Sequence, residues 1–262
     1  MAGLGGWYRH FALALTKMEV EELNLDLEGV SAHLEFIPYG VVGAITAWNS
    51  PLMTAAWKVA PALAGGNAVI IKPSEMASAS TVLFAELLAD VVPNGLINVV
   101  TGYGDEVGAA IVDADAVKKV SFTGSEVGGA KVAATAAKHV KPSTLELGGK
   151  SPQIVFADAD LESTINGVMS GIFLSNGQSC VAGSRLIIHD DIKEAFVERL
   201  KEKLRDLHFG SPMLEGTDIG PIANKAQFDK ILSMVSRAIQ EGATVTSGGG
   251  SKNVPGFEGG YF

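Results

Sequence analysis

The sequence predicts an α/β fold with a largely parallel sheet. Short apolar, β-branched runs alternate with stretches of helical periodicity along most of the 262 residues. Most of these runs are too apolar to alternate in and out, as expected of strands buried on both faces. Strand–helix alternation at this spacing is also what crossover connections between parallel strands require.

The first 40 residues open with an apolar–charged helical pattern, and NLDLEGVSAHLEFI (24–37) then reads as a hairpin, an edge or an arm toward a partner. Strands are expected at 40–48, 68–72, 97–101, 118–122, 143–147, 152–156 and 184–189. A helix is expected over 191–206, where Ile192, Ala195, Phe196, Leu200 and Leu204 form one stripe. Another is expected over 225–240, with Phe228, Ile231, Leu232, Val235 and Ile239 on one face and Asn224 as N-cap. After GGG (248–250) the chain runs through GFEGGYF with no closing helix or strand, which reads as an interruption. The expected division is 1–40, 41–149 and 150–262.

Composition removes several classes of function. A chain 47% hydrophobic and 19% charged is not disordered. Its 31 glycines and 10 prolines show no short period, against collagen-like or low-complexity readings. With 29 acidic and 20 basic residues the net charge is -9, a poor match to DNA or an anionic membrane surface. One cysteine precludes an internal disulfide or a multi-cysteine metal site. The five histidines are scattered without ligand spacing, so no metal is expected. No signal peptide and no apolar stretch approaching the ~20 residues of a membrane span is read, so the expectation is a soluble, cytoplasmic protein.

Six segments could carry chemistry. Cys180 lies in SNGQSCVAGSR (175–185), among small and polar neighbours unlike those of a structural cysteine. Glu146 interrupts the apolar strand of TLELGGKSP (144–152); it reads equally as a general base or as a strand-end partner of Lys150. Asn49 in AWNSPL (47–52) follows a strand; it is an oxyanion donor or an ordinary turn before a helix. AVIIKPSE (68–75) ends in Lys72, Ser74 and Glu75; Lys72 and Glu75 suit the hydroxyls of a ribose, or the segment is a capped loop with Ser74 starting a helix. Gly102, Gly104 and Gly108 are spaced one residue wider than the usual dinucleotide fingerprint. Gly124 and Ser125 in FTGSEVGG (122–129) fit a pyrophosphate at a helix N-terminus or a plain strand-to-helix turn.

Taken in order, WNSP, KPSE, the G-x-G loop, FTGS, LELGGKSP and GQSC closely resemble the aldehyde dehydrogenase superfamily, from about residue 20 to the C-terminus. GPIANKAQFDKI (220–231) resembles the family's stretch after the cysteine. The resemblance implies a Rossmann-like dinucleotide-binding domain over 41–149, the first part of an α/β catalytic domain over 150–262, and an oligomerisation hairpin within 1–40. It implies oxidation of an aldehyde to the acid, with Cys180 as nucleophile, Glu146 as the base that activates water, and Asn49 with the Cys180 backbone N–H as oxyanion donors. Lys72 and Glu75 resemble the adenosine-ribose contacts, and Trp48, Ser74, Gly104, Gly124, Ser125 and Leu147 resemble other cofactor contacts. A carboxylate at Glu75 repels a 2′-phosphate, so NAD is expected over NADP, although some members with this glutamate accept both. Glu146 argues against the coenzyme-A-acylating branch. The implied partners are an aldehyde and further copies of the chain.

The sequence departs from the family at Glu126 and Val127 after FTGS, and at Ser50, where phenylalanine is commoner. Family members extend well beyond both ends, and the E-x-F-G-P segment is absent, so the chain reads as a fragment with weak or no activity of its own. The alternative is a truncated, non-catalytic subunit that binds nucleotide or a full-length partner. A thiol hydrolase is disfavoured because no histidine has a motif-like setting for pairing with Cys180.

Overall fold

Several of the apolar, β-branched runs become strands, AVIIK (68–72) between Asn67 and Pro73 among them. The computed structural model describes residues 3–262; the first two residues of the predicted N-terminal segment lie outside the described residues. The chain divides into two units, Met1–Leu147 and Gly148–Phe262.

The first unit begins with helix α1 (Leu4–Leu15) and an antiparallel hairpin, β1 (Glu21–Leu23) and β2 (Ala32–Leu34), whose first strand precedes the predicted hairpin. There follow β3 (Val41–Ile45), α2 (Pro51–Ala64), β4 (Ala68–Lys72), α3 (Ala79–Leu88), β5 (Ile97–Val99), α4 (Ala109–Asp113), β6 (Val117–Thr123), α5 (Glu126–Lys138) and β7 (Ser143–Glu146). The five strands β3–β7 form one parallel sheet in the order β5-β4-β3-β6-β7. Both faces are covered, as the apolar runs predict. Val42 and Ala44 of β3 pack with Val59 of α2 and Val69 and Ile71 of β4. Ile45 packs on the other side with Ile111, Val120 and Val132. Gly43 faces that second layer, where a Cβ would lie 2.6 Å from Ile111 Cγ2.

The second unit holds β8 (Pro152–Val155), α6 (Leu161–Phe173), β9 (Arg185–Ile188), α7 (Asp190–Arg205) and α8 (Lys225–Gln240). β8 and β9 pair in parallel, and α6 and α7 cover one face through Val155, Ile165, Val168 and Phe196. Fully burying Phe196 stabilises this layer by about 2–3 kcal/mol. Burial on both faces does not hold here: Ile154, Phe156 and Ile187 are 60%, 66% and 52% exposed, because nothing among the described residues covers the opposite face. Asn224 caps α8 as predicted, its Oδ1 accepting from the Gln227 N–H at 2.9 Å, but the apolar stripe of α8 is only half-buried.

Candidate active site

In an open parallel sheet, ligands gather at the carboxyl ends of the strands where the strand order reverses. In the first unit the chain leaves β3 toward β4 and β5 on one side and returns through β6 and β7 on the other. The reversal therefore falls between β3 and β6, and the segments carrying Trp48–Asn49 and Gly124–Ser125 both leave the sheet there. Trp48 and Asn49 are half-buried. Ser50 and Pro51 start α2 directly behind them, since proline at the first helical position forfeits no hydrogen bond.

On the β6 side, the Gly124 N–H donates to the Glu146 carbonyl at 3.0 Å. Ser125 Oγ caps α5 by accepting from the Gly128 N–H at 3.1 Å. The glycines here answer to packing: a Cβ on Gly124 would lie 2.5 Å from the Phe122 ring, and one on Gly129 2.5 Å from Leu147. Gly102 has φ +150, and a Cβ there would meet Val107 at 2.4 Å. Gly104 opens the turn before α4 with free space where a side chain would stand. The hydroxyls of Thr46 and Thr123, at the ends of β3 and β6, are buried without a hydrogen-bond partner.

At the end of β4, Lys72 is buried and its ammonium pairs with Glu75 at 3.0 Å, while Glu75 stays partly exposed. Burial alone would raise the Glu75 carboxyl; its own backbone N–H and the Lys72 ammonium outweigh that and hold it below the usual range. Ser74 does not start the next helix. Its Oγ accepts from the Met76 N–H at 3.3 Å, and α3 begins at Ala79.

Glu146 ends β7, which is an edge strand, and its side chain is exposed. The expected burial is not found, because edge position depends on strand order rather than on the apolarity of the run. Nor is there an ion pair with Lys150, whose ammonium donates to the Gly149 carbonyl at 3.0 Å. One charged residue escaped the sequence reading. Lys58, inside α2, is 5% exposed and donates to Ser121 Oγ at 3.0 Å. Burial pushes its pKa down to about 8, against an opposing pull from the Glu146 charge. The signal was a lone lysine within AAWKVAPALA (55–64).

In the second unit, Cys180 is half-buried and follows a left-handed run. Ser175, Asn176 and Gly177 have φ of 55, 55 and 71. Such a conformation costs roughly 1–2 kcal/mol for each residue bearing a Cβ, so other contacts must hold it. Asn176 Oδ1 accepts from the Gly220 N–H and Asn176 Nδ2 donates to the Pro221 carbonyl, each at 3.2 Å. Gln178 Oε1 accepts from the Ala223 N–H at 3.0 Å. Beyond the cysteine, the Gly183 N–H donates to the Gly171 carbonyl at 3.0 Å and Gln153 Nε2 donates to the Gly183 carbonyl at 2.8 Å. The Cys180 carbonyl lies against Gly149, where a Cβ would approach it to 2.8 Å. The structure thus places Asn49, Trp48, Gly124 and Ser125 around one reversal, Lys72, Ser74 and Glu75 at a neighbouring strand end, and Cys180 in the second unit. Two surface depressions lined by Ser211, Phe228, Phe257 and Tyr261 hold none of these residues. Among the described residues, no group of His, Cys, Asp or Glu could hold a metal, and no helix is long and apolar enough to cross a membrane.

Solved structures of other proteins superpose on this chain over its whole length. A variant of betaine aldehyde dehydrogenase from Staphylococcus aureus, solved in complex with NAD+, superposes with a TM-score of 0.97 at 34% identity, covering 100% of this chain and 53% of that one. An NAD+ complex of an aldehyde dehydrogenase from Bacillus cereus gives 0.94 at 38% identity, covering 100% and 52%. Betaine aldehyde dehydrogenase from Brucella anthropi is 48% identical over 239 residues, 91% of this chain and 49% of its own length. The model of the aldehyde dehydrogenase family matches residues 3–262, and the chain belongs to that family. It spans about half the length of the curated relatives it matches.

Proposed function

We propose that the chain carries the dinucleotide-binding and thiol-bearing portions, 41–149 and 150–262, of an enzyme that oxidises an aldehyde to its acid with NAD. The observation that carries this reading is the reversal between β3 and β6, with Trp48–Asn49 on one side and Gly124–Ser125 on the other. A dinucleotide suits this region. The unpartnered hydroxyls of Thr46 and Thr123 lie at the two strand ends, and farther along the sheet, after β5, Gly104 leaves open space beside its backbone. Lys72 and Glu75 would take the adenosine ribose, Gly124 and Ser125 the pyrophosphate, and Trp48, Ser74, Gly104 and Leu147 further parts of the molecule. NAD, when bound, supplies the hydride acceptor.

The remaining chemistry belongs to this chain. Cys180 Sγ, as thiolate, bonds to the aldehyde carbon. The Asn49 amide and the Cys180 backbone N–H donate to the oxygen as it gains charge. Glu146 takes a proton from the water that releases the acid from the Cys180 thioester. Its exposure gives water direct access. Relatives named for betaine aldehyde make that the first aldehyde to try. The test is mass spectrometry of the chain after incubation with NAD and aldehyde. E146Q should retain an acyl group on Cys180 that the parent releases. An adduct that forms equally in C180S would refute the assignment.

A second reading has its own observation. Leu27, Val30, Leu34, Phe36 and Ile37, in and after the hairpin, are all exposed, and Phe36 and Ile37 about 80% so. Apolar surface of this kind marks an association site, and we read it as the contact with further copies of the chain. Sedimentation of the parent beside F36S/I37S measures it; a monomeric parent refutes it.

A further inference from the structure

Two amide side chains tie the cysteine loop to a segment more than forty residues further along the chain. Asparagine is one of the few residues with a Cβ that tolerates the left-handed region. Asn176 sits there with φ 55, which aims its amide at the backbone of Gly220 and Pro221. Gln178 reaches Ala223 with its Oε1, and its Nε2 donates back to the Ser175 carbonyl at 3.4 Å. The 220–223 backbone is therefore bound at three points by side chains that flank Gly177. On the far side of the cysteine, Gly183 is fixed to Gly171 and to Gln153. Between these anchors only a short turn remains, with the Ala182 N–H donating to the Ser179 carbonyl at 3.2 Å.

We infer that Asn176 and Gln178 are positioning residues, which lock the cysteine loop onto 220–223 and so set the surroundings of the Cys180 thiol. The inference rests on the reading of Cys180 as nucleophile. The locked loop holds the left-handed run against its own strain, and the thiol stays in one place rather than sampling the conformations of a free loop. The 220–223 segment leads directly into the Asn224 cap of α8, so these bonds link the cysteine loop to the start of α8.

The test compares the parent with N176G and N176D. Glycine keeps the left-handed backbone and removes both bonds. Aspartate keeps the acceptor for the Gly220 N–H and loses the donor to Pro221. Two readouts apply: amide hydrogen exchange over 178–183 and at Gly220, and the rate at which a thiol reagent labels Cys180, the sole cysteine, as a function of pH. Two lost neutral hydrogen bonds should raise loop opening about tenfold in N176G. The labelling profile should move toward that of the urea-unfolded chain, while amides of α7 keep their protection. N176D should recover part of both changes. Unchanged exchange over 178–183 in N176G overturns the inference, as does faster exchange with an unchanged labelling profile. A parent profile already equal to that of the unfolded chain also overturns it. A distinct parent profile that ignores NAD leaves the lock standing and counts against the nucleophile reading alone.

Discussion

Replacing Lys58 by methionine should stabilise the first unit at neutral pH. Lys58 is 5% exposed, and burial lowers its pKa from 10.5 to about 8. A lysine whose folded-state pKa lies below its unfolded value costs stability while it is charged, and the cost is relieved as pH rises between the two values. A difference of about 2.5 units, at 1.36 kcal/mol each, puts that cost near 3 kcal/mol below pH 8. Methionine removes it and fills nearly the same volume. The loss of a donor to half-buried Ser121 returns about 1 kcal/mol, so the net gain at pH 7 is about 2 kcal/mol. The assay is urea unfolding followed by tryptophan fluorescence, because Trp7, Trp48 and Trp57 all lie in the first unit. The parent should gain about 2 kcal/mol between pH 8 and pH 10, and K58M should stay flat there. Above pH 10 the buried Tyr8 phenol, raised to about 12, acts in the opposite sense and closes the useful window. A parent without that rise, or a K58M less stable at pH 7, would refute the reasoning.

The glycines of LELGGKSP should separate sharply. In G149A the new methyl meets the Cys180 carbonyl at 2.8 Å and must displace the loop, whereas nothing lies within 4 Å of a Cβ on Gly148. Thiol labelling of G149A should therefore depart from the parent and that of G148A should match it; equal behaviour of the two contradicts the packing account. At the end of β4, E75Q should bind NADP relative to NAD about tenfold better, by removing a carboxylate that repels the 2′-phosphate. The Lys72–Glu75 pair stabilises above the ordinary glutamate value of 4.5 and is lost as pH falls through the lowered folded-state value. E75Q should accordingly lose that part of the acid dependence, as measured by unfolding at stepwise lower pH.

The legible part of the fold is the part that local chemistry decides. AVIIK (68–72) is a strand to the residue, because Gly and Asn precede it and Pro follows. Asn224 announces α8 by the geometry of its own side chain. What stayed hidden depends on neighbours distant in sequence. The exposure of Glu146 follows from β7 being an edge strand, and the open face of β8 and β9 follows from which helices cover them. The left-handed run at 175–177 is stabilised by residues 220–223, which no local reading connects to it. Lys58 was visible as a lone charge among apolar residues, but its burial is a property of the sheet it packs on. The roles given to Cys180, Glu146 and Asn49 came from motif order and family resemblance rather than periodicity.

The central claim is that Cys180 is a nucleophile served by a cofactor bound to the same chain. The rate at which a thiol reagent labels the native chain at neutral pH, with and without NAD, tests it most directly, because Cys180 is the only thiol. The account predicts a rate distinct from that of the urea-unfolded chain and altered by NAD. Labelling at the unfolded rate, indifferent to NAD, would contradict it.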